Sequence, residues 1–266
     1  TKCSSAQLFQ NIHQRIAEYD KTYSRFRSDS RIAEMAAQAG TYVLPPDGKE
    51  LFDLYYKLYT ITAGAVTPLV GKLLVDAGYD ADYSLETKEL HRTQAWEDVL
   101  VYAYPNLVLK EPALLDVGAA GKGYLVDIVS QIIMESGVAG YCVDAGGDMR
   151  YAHPTDVLQV GLEHPDDASQ VIGIVQLAGG AICGSAGNRR RWGKFTHIID
   201  PFTQSSPQHL KAVWVTAELA LVADGLTTAL FFVEPTVLQK EFSFEYALVR
   251  SDDTVTRSSG FPAEIF

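Results

Sequence analysis

Cysteine is scarce in this sequence, and its few residues form no recognisable set. The three cysteines, Cys3, Cys142 and Cys183, are widely separated along a chain of 266 residues. An odd number without a Cys-x-x-Cys pair predicts neither a disulfide framework nor a zinc site. We expect two buried thiols that act as small apolar side chains and one thiol at the terminus.

Positive charge is also in short supply. The chain has 22 lysines and arginines against 33 aspartates and glutamates, which gives a formal net charge of -11. Such a balance argues against binding nucleic acid through general charge. An anionic ligand would need a local positive site or a metal ion.

No long apolar run is present either. The most apolar stretch, residues 212–233, is interrupted by Glu218 and Asp224. Charges near the middle of a span are costly in a bilayer, so we predict no transmembrane segment. No signal-peptide pattern precedes the first predicted helix, Ala6–Tyr23.

The remaining pattern mixes helices and strands without strict alternation. Apolar spacing predicts helices over Gly121–Ser136 and Ala217–Val233, and a strand over Phe195–Asp200. The residues after Ser251 look irregular. This mixture favours an α+β fold over a doubly wound parallel sheet, and we expect a single domain over residues 1–266.

Two glycine-rich segments are candidates for phosphate binding. The first is DVGAAGKGYLVD, residues 116–127, in which Lys122 stands at a predicted helix start. Bare backbone N–H groups and a lysine at a helix N-terminus attract phosphate, but small residues are equally expected in a plain strand-to-helix turn. The second is VDAGGDMR, residues 143–150, which on its own indicates a tight turn.

Two later segments carry histidine and acidic side chains. GSAGNRRRWGKFTHIIDP, residues 184–201, contains His197 beside a run of arginines; alone, the histidine is more often structural and the arginines more often solvated. In LVADGLTTAL, residues 221–230, Asp224 and Thr228 share one helix face. A buried carboxylate needs a partner, which is either a hard cation or a backbone N–H group.

Taken together and in this order, the segments resemble the ApbE family of FAD:protein FMN transferases. DVGAAGKGYLVD is similar to its D-x-G-x-x-x-K-G-Y-x-x-D signature, VDAGGDMR to N-x-G-G-D-x-R, THIIDP to H-I-I-D-P, and VADGLTTAL to A-D-A-x-x-T-A-L. SRFRSDS, residues 24–30, resembles its early S-x-Y-x-x-x-S block. The resemblance implies a T-fold-like α+β architecture with two similar halves packed around an FAD site.

The resemblance also implies residue roles. FAD would be held by Phe26, Ala65, Val66, Thr67, Asp116, Lys122, His197 and Ile198. Mg²⁺ would be bound by the Ala119 carbonyl, Asp224 and Thr228. Phe26 in place of tyrosine and Thr67 in place of aspartate depart from the family pattern, so the flavin contacts are expected to differ here.

The activity implied is Mg²⁺-dependent transfer of the FMN half of FAD to a threonine of an acceptor protein, with AMP released. His197 would be the general base, and Asp224 would be essential through the metal. One alternative is an FAD pyrophosphatase that uses water and yields FMN and AMP. The other is a non-catalytic FAD-binding protein, which would not need the metal ligands.

Two expectations concern the cellular compartment of the protein. The chain as it stands is expected to be cytoplasmic. Its abrupt start suggests residues missing upstream, and many members of the resembled family are exported and lipid-anchored. The alternative expectation is therefore an exported, lipid-anchored protein whose N-terminal signal has been removed.

Overall fold

The computed structural model describes residues 4–187 and 190–266, so Cys3 and Arg189 lie outside it. Its elements confirm the α+β class. The helices are α1 (Ser5–Tyr23), α2 (Arg31–Ala37), α3 (Gly48–Ile61), α4 (Gly71–Asp76), α5 (Trp96–Val99), α6 (Gly121–Glu135), α7 (Ala220–Ala229) and α8 (Pro235–Leu238), with a 3₁₀ turn at Pro68–Val70. The strands are β1 (Gly40–Val43), β2 (Leu100–Ala103), β3 (Asn106–Leu109), β4 (Tyr141–Asp144), β5 (Met149–Ala152), β6 (Leu158–His164), β7 (Asp167–Leu177), β8 (Gly180–Ala186), β9 (Arg191–Trp192), β10 (Phe195–Thr196), β11 (Leu210–Ala217), β12 (Glu245–Arg250), β13 (Val255–Arg257) and β14 (Ala263–Ile265).

Several sequence expectations were wrong at element boundaries. Ala217 ends strand β11 rather than beginning a helix, and α7 is shorter than expected at both ends. The strand expected over Phe195–Asp200 stops at Thr196. The chain after Ser251 is not irregular, because β13 and β14 pair with β12 and β7. Cys183 is buried as expected, but Cys142 is exposed.

The chain divides into two compact units. The first contains the described residues within 1–16, 120–189 and 208–266, and the second those within 17–119 and 190–207. No helix of the described residues is long and apolar enough to cross a membrane.

The first unit is built on a six-stranded antiparallel sheet in the order β13-β12-β11-β8-β5-β4. Strand β11 lies in its interior, and its β-branched and aromatic residues Val213, Trp214 and Val215 suit a pleated sheet. Helices α6 and α7 pack on each other, and α7 also packs on β8 and β11. A second sheet, β14-β7-β6, completes the unit around a core that includes Leu162 and Phe261.

The second unit combines helices α2 to α5 with the antiparallel sheet β1-β3-β2 and the two-stranded ribbon β10-β9. Its local signals are clear: Ser30 caps α2 by accepting from the N–H of Ala33 at 3.0 Å. A long irregular segment, residues 77–95, follows α4. Aromatic and aliphatic side chains around Tyr79 and Trp192 form a buried cluster beside it.

Candidate functional site

In the first unit, three charged side chains from separate elements come together. Lys122 lies in the first turn of α6, Asp148 follows the turn between β4 and β5, and Asp224 lies in the second turn of α7. We call these three residues the charged cluster. The start of α6, the β4–β5 hairpin and α7 all belong to the six-stranded sheet and the helices that pack with it. Residues distant in sequence therefore become neighbours.

Asp148 and Lys122 form an ion pair. The Lys122 Nζ lies 2.6 Å from Asp148 Oδ2. The carboxylate is buried at 1% exposure, and its other oxygen accepts from the N–H of Gly184 at 3.2 Å. Burial alone would lower the pKa of Lys122, but attraction to Asp148, with a further contribution from Asp224, raises it. The lysine therefore stays charged.

Asp224 is a buried acid close to other negative charge. It is 5% exposed, and its Oδ2 accepts from the N–H of Gly123 at 2.8 Å. Burial and then repulsion by Asp148 hold the pKa of Asp224 well above its usual range, against the opposing N–H of Gly123 and charge of Lys122. A buried carboxylate in this state lacks a full counter-charge, so a hard divalent cation with oxygen ligands fits the position.

The backbone partner expected as the alternative for Asp224 is also present, since Gly123 donates to it. Thr228 lies one turn further along α7 and is partly buried, so the shared helix face predicted for the two residues is confirmed. Among the described residues no group of three or more His, Cys, Asp or Glu side chains is arranged to hold a metal ion. Any cation here would take its remaining ligands from hydroxyl, carbonyl, water or phosphate oxygens.

Asp127 fixes the start of the helix that carries Asp224. Its two carboxylate oxygens accept from the N–H groups of Ala220 at 3.0 Å and Leu221 at 2.8 Å, the first residues of α7. Arg150 Nη1 adds a bond of 2.8 Å. Because the residue before α7, Leu219, has no capping side chain, this carboxylate from α6 supplies the cap.

In the second unit, the predicted FAD ligand Asp116 is held by Arg25. Asp116 Oδ2 pairs with Arg25 Nε, and its Oδ1 accepts from the N–H of Gly118 at 2.7 Å. The Asp116 N–H donates to the carbonyl of Pro68 at 2.7 Å. The Arg25 side chain is 2% exposed and that of Asp116 is 12% exposed. Asp116 is therefore fixed by two contacts to its carboxylate and one to its backbone.

Arg25 also lies over the predicted flavin-contacting residue Phe26. The guanidinium carbon is 4.1 Å from the centre of the Phe26 ring and 4.7 Å from that of Tyr79. Tyr83 and Trp192 extend the group, stacking on Phe26 and Tyr79 with ring centres 5.6 Å and 5.7 Å apart. We call Arg25, Phe26, Tyr79, Tyr83 and Trp192 the aromatic cluster. It offers flat faces and a cation for a planar ligand.

The other predicted site residues of the second unit have clear local positions. Val66 and Thr67 are buried, and Thr67 accepts from the N–H of Leu69 at 3.2 Å, so it caps the 3₁₀ turn. Ala65 is partly buried, and the N–H of Ala119 donates to the Tyr55 hydroxyl at 3.1 Å. His197 is partly buried and Ile198 is buried, both just after β10. Their roles stay predictions.

Sequence reasoning missed several residues that shape these sites: Asp127 and Asp148 in the first unit, and Arg25, Tyr79, Tyr83 and Trp192 in the second. Asp148 was read as part of a tight turn and Asp127 only as a signature position. The available signal for Asp148 was an acidic residue beside glycine just before a strand, and for Asp127 it was an acidic side chain in a largely apolar helix. Arg25 lies in the SRFRSDS segment but gave no signal of its own, because Asp116 and Tyr79 are far away in sequence.

Comparison with known proteins gives one consistent result. The model of the ApbE family matches residues 2–243. The FAD:protein FMN transferase of Haemophilus influenzae is 25% identical over 96% of this chain and 82% of its own length, and that of Treponema pallidum is 25% identical over 92% and 77%. Among solved structures, the ApbE protein of Thermotoga maritima superposes with a TM-score of 0.86 at 21% identity over 99% of this chain and 94% of its own. The flavin transferase ApbE of Vibrio cholerae gives 0.80 at 21% identity, over 97% and 90%.

Proposed function

This chain belongs to the ApbE family, and we propose that it transfers the FMN half of FAD to a threonine of an acceptor protein and releases AMP. Relatives that match most of the chain are named FAD:protein FMN transferases. The observation that carries the proposal within the molecule is the charged cluster. A buried acid beside a lysine–aspartate pair suits a divalent cation, and through that cation a pyrophosphate whose charge must be neutralised.

FAD carries two kinds of group, phosphates and a flat ring, and each needs its own contacts. Lys122, kept charged by Asp148, is proposed to bind a phosphate oxygen of FAD. Phe26, with Arg25 beside it, is proposed to contact the flavin ring. Asp116, whose position Arg25 fixes, is proposed as a further FAD ligand.

Asp224 and Thr228 are proposed to hold Mg²⁺, because the buried carboxylate needs a counter-charge and the hydroxyl shares its helix face. When bound, the cation would neutralise charge on the phosphate oxygens of the substrate. Asp127 contributes indirectly by fixing the first turn of α7. The metal role implied for Ala119 stays a prediction.

In the reaction, the threonine oxygen of the acceptor forms a bond to the FMN phosphorus while the bond from that phosphorus to the AMP oxygen breaks. AMP leaves with the electron pair of the broken bond. His197 is proposed as the base that accepts the hydroxyl proton of the threonine. Lys122 balances negative charge that develops on the phosphate oxygens.

The test is incubation of the protein with FAD, Mg²⁺ and a threonine-bearing acceptor. We expect the acceptor to gain the mass of FMN less one water, and AMP to be released in equal amount. Acceptor with its threonine changed to valine is the control and should gain nothing. If AMP is released at the same rate with and without the acceptor, and the acceptor gains no mass, the protein is a pyrophosphatase. If flavin binds and no AMP is released, the protein is a binding protein.

A further inference from the structure

Tyr83 covers one face of Phe26 from the irregular segment after α4. The two rings are nearly parallel, at 9°, with their centres 5.6 Å apart. Tyr83 also meets Tyr79 edge-on at 5.4 Å. Yet Tyr83 is 54% exposed and Phe26 is 36% exposed. The tyrosine therefore rests on the cluster with one face and is not enclosed by it.

The backbone that carries Tyr83 is in an unfavourable conformation. Tyr83 has φ +51° and Leu85 has φ +56°, the left-handed region that side-chain-bearing residues seldom adopt. Each such residue costs on the order of 1 kcal/mol or more and persists only where its surroundings impose it. Withdrawal of the Tyr83 side chain with its backbone would relieve this cost.

Local bonds confine any movement to a short tip. Ser84 donates from its N–H to Asp80 Oδ1 at 2.9 Å and from its hydroxyl to Oδ2 at 2.6 Å. The N–H of Leu85 donates to the carbonyl of Gly78 at 2.9 Å. Further along, His91 Nδ1 lies 2.8 Å from Asp76 Oδ2. The backbone around Tyr83 is therefore tied to Gly78 and Asp80, just after α4, and of these bonds only the one from His91 reaches α4 itself. None of them involves the Tyr83 side chain.

Beside the Phe26 ring, Arg25 has a hydrogen-bond donor without an acceptor. Its Nη2 is buried and finds no partner among the described residues, although Nε pairs with Asp116. A buried donor left unsatisfied costs about 1–3 kcal/mol. Phe26, at the position where the family pattern has tyrosine, contributes no hydroxyl. The cluster therefore presents a stacking face and an unused donor.

On the premise of the function proposed above, we propose that Tyr83 occupies the stacking place of the flavin ring and is displaced when the ring binds. Arg25 Nη2 then donates to a carbonyl oxygen of the ring. The ligand class follows from the donor. Arginine is donor-only, and the pyrimidine edge of a flavin carries two carbonyl oxygens, whereas adenine carries none. Tyr83 is thus a specificity-determining residue that competes with the substrate ring.

The test compares Tyr83→Ala with Tyr83→Phe by titration with riboflavin, which carries the ring without phosphates. Removing the competing ring should tighten riboflavin binding about two- to tenfold, the worth of one aromatic pair. Tyr83→Phe keeps the stacking face and should stay within about twofold of the parental protein. AMP, titrated in parallel, should bind all three proteins equally.

Unchanged or weaker riboflavin binding by Tyr83→Ala would overturn the proposal, since it would make Tyr83 a bystander or a ligand. A gain of affinity seen for AMP instead of riboflavin would also overturn it, by assigning this face to adenine. An equal gain from Tyr83→Phe would implicate the hydroxyl rather than the ring. Failure of the parental protein to bind riboflavin or FAD would count against the proposed function itself, which keeps the two failures separate.

Discussion

The charged cluster and the aromatic cluster solve opposite problems of recognition. The first places two buried carboxylates and a lysine together, and the pKa of Asp224 rises because its charge is poorly balanced. The second surrounds the Arg25 guanidinium with ring faces and pairs it with one carboxylate, so the charge of Arg25 is balanced locally. Excess negative charge favours a cation and, through it, phosphates. Balanced charge under flat rings favours a planar, weakly polar ligand.

The largest difference between the two clusters is expected when the charged cluster is altered alone. Asp224→Asn should reduce AMP release by about a thousandfold, because it removes the proposed cation ligand and its charge. The amide keeps an oxygen for the N–H of Gly123, so the fold should persist. AMP release and circular dichroism, measured together, check this.

Riboflavin affinity sharpens the same experiment, since the aromatic cluster is unchanged and should bind the ring as before. Asp252→Asn is the matched control, an exposed aspartate in a turn of the same unit, and should keep parental turnover. Parental turnover in Asp224→Asn would refute the assignment of this residue.

The second prediction tests whether Arg25 holds the aromatic cluster together. Arg25→Met leaves Asp116 with no cation while keeping the side-chain bulk under the rings. Losing one partner of a buried pair should lower the free energy of unfolding by about 3 kcal/mol. Urea denaturation measures it.

Arg27 provides the matched comparison two residues away. It pairs with Asp29, but both side chains are about half exposed, at 48% and 58%. Exposed pairs contribute little to stability, so Arg27→Met should leave the urea midpoint almost unchanged. Equal losses in the two variants would show that burial of the Arg25–Asp116 pair has no energetic consequence.

The smallest effect concerns the anchor of the segment after α4. Burial alone would raise the pKa of Asp76, but bonds from Lys72 and His91 outweigh it and hold the pKa below its usual 3.8. A depressed pKa gives stability that is present above about 3.8 and lost as pH falls through the folded-state value. Asp76→Asn should therefore cost about 1 kcal/mol at pH 6 and progressively less on acidification.

Urea unfolding of parental and variant protein at pH 6 and near pH 3 checks the sign of this prediction. Asp82→Asn, exposed on the same segment, is the control and should show no such pH-dependent difference. A stability difference that stayed constant over this range would contradict the assigned role of Asp76.

The sequence predicted local features well and tertiary partnerships poorly. Helix α6 was predicted within one residue because apolar spacing and Gly137 are both local signals. Helix α7 was predicted too long at both ends. Its first N–H groups are capped by Asp127, about 90 residues away, and Ala217, which was expected in the helix, ends strand β11.

The candidate sites show the same division. Lys122 and Asp224 were found because each stands in a recognisable segment. Asp148 looked like a turn residue until the hairpin placed it against Lys122. Tyr83 carried no pattern at all, because its importance depends on a stack with Phe26 across more than fifty residues. Side chains whose role is defined by a distant partner are invisible to periodicity.

The glycine after the signature lysine has a consequence for how such motifs are interpreted. A methyl group at Gly123 would come within 2.1 Å of the Ala220 carbonyl oxygen and 2.6 Å of the Asp224 Cβ. Any larger residue would force α6 and α7 apart, whether or not a nucleotide ever binds. A descendant that had lost catalysis would still be selected to keep this glycine. Survival of the motif therefore reports an intact helix pair, and only the charged side chains around it report an active enzyme.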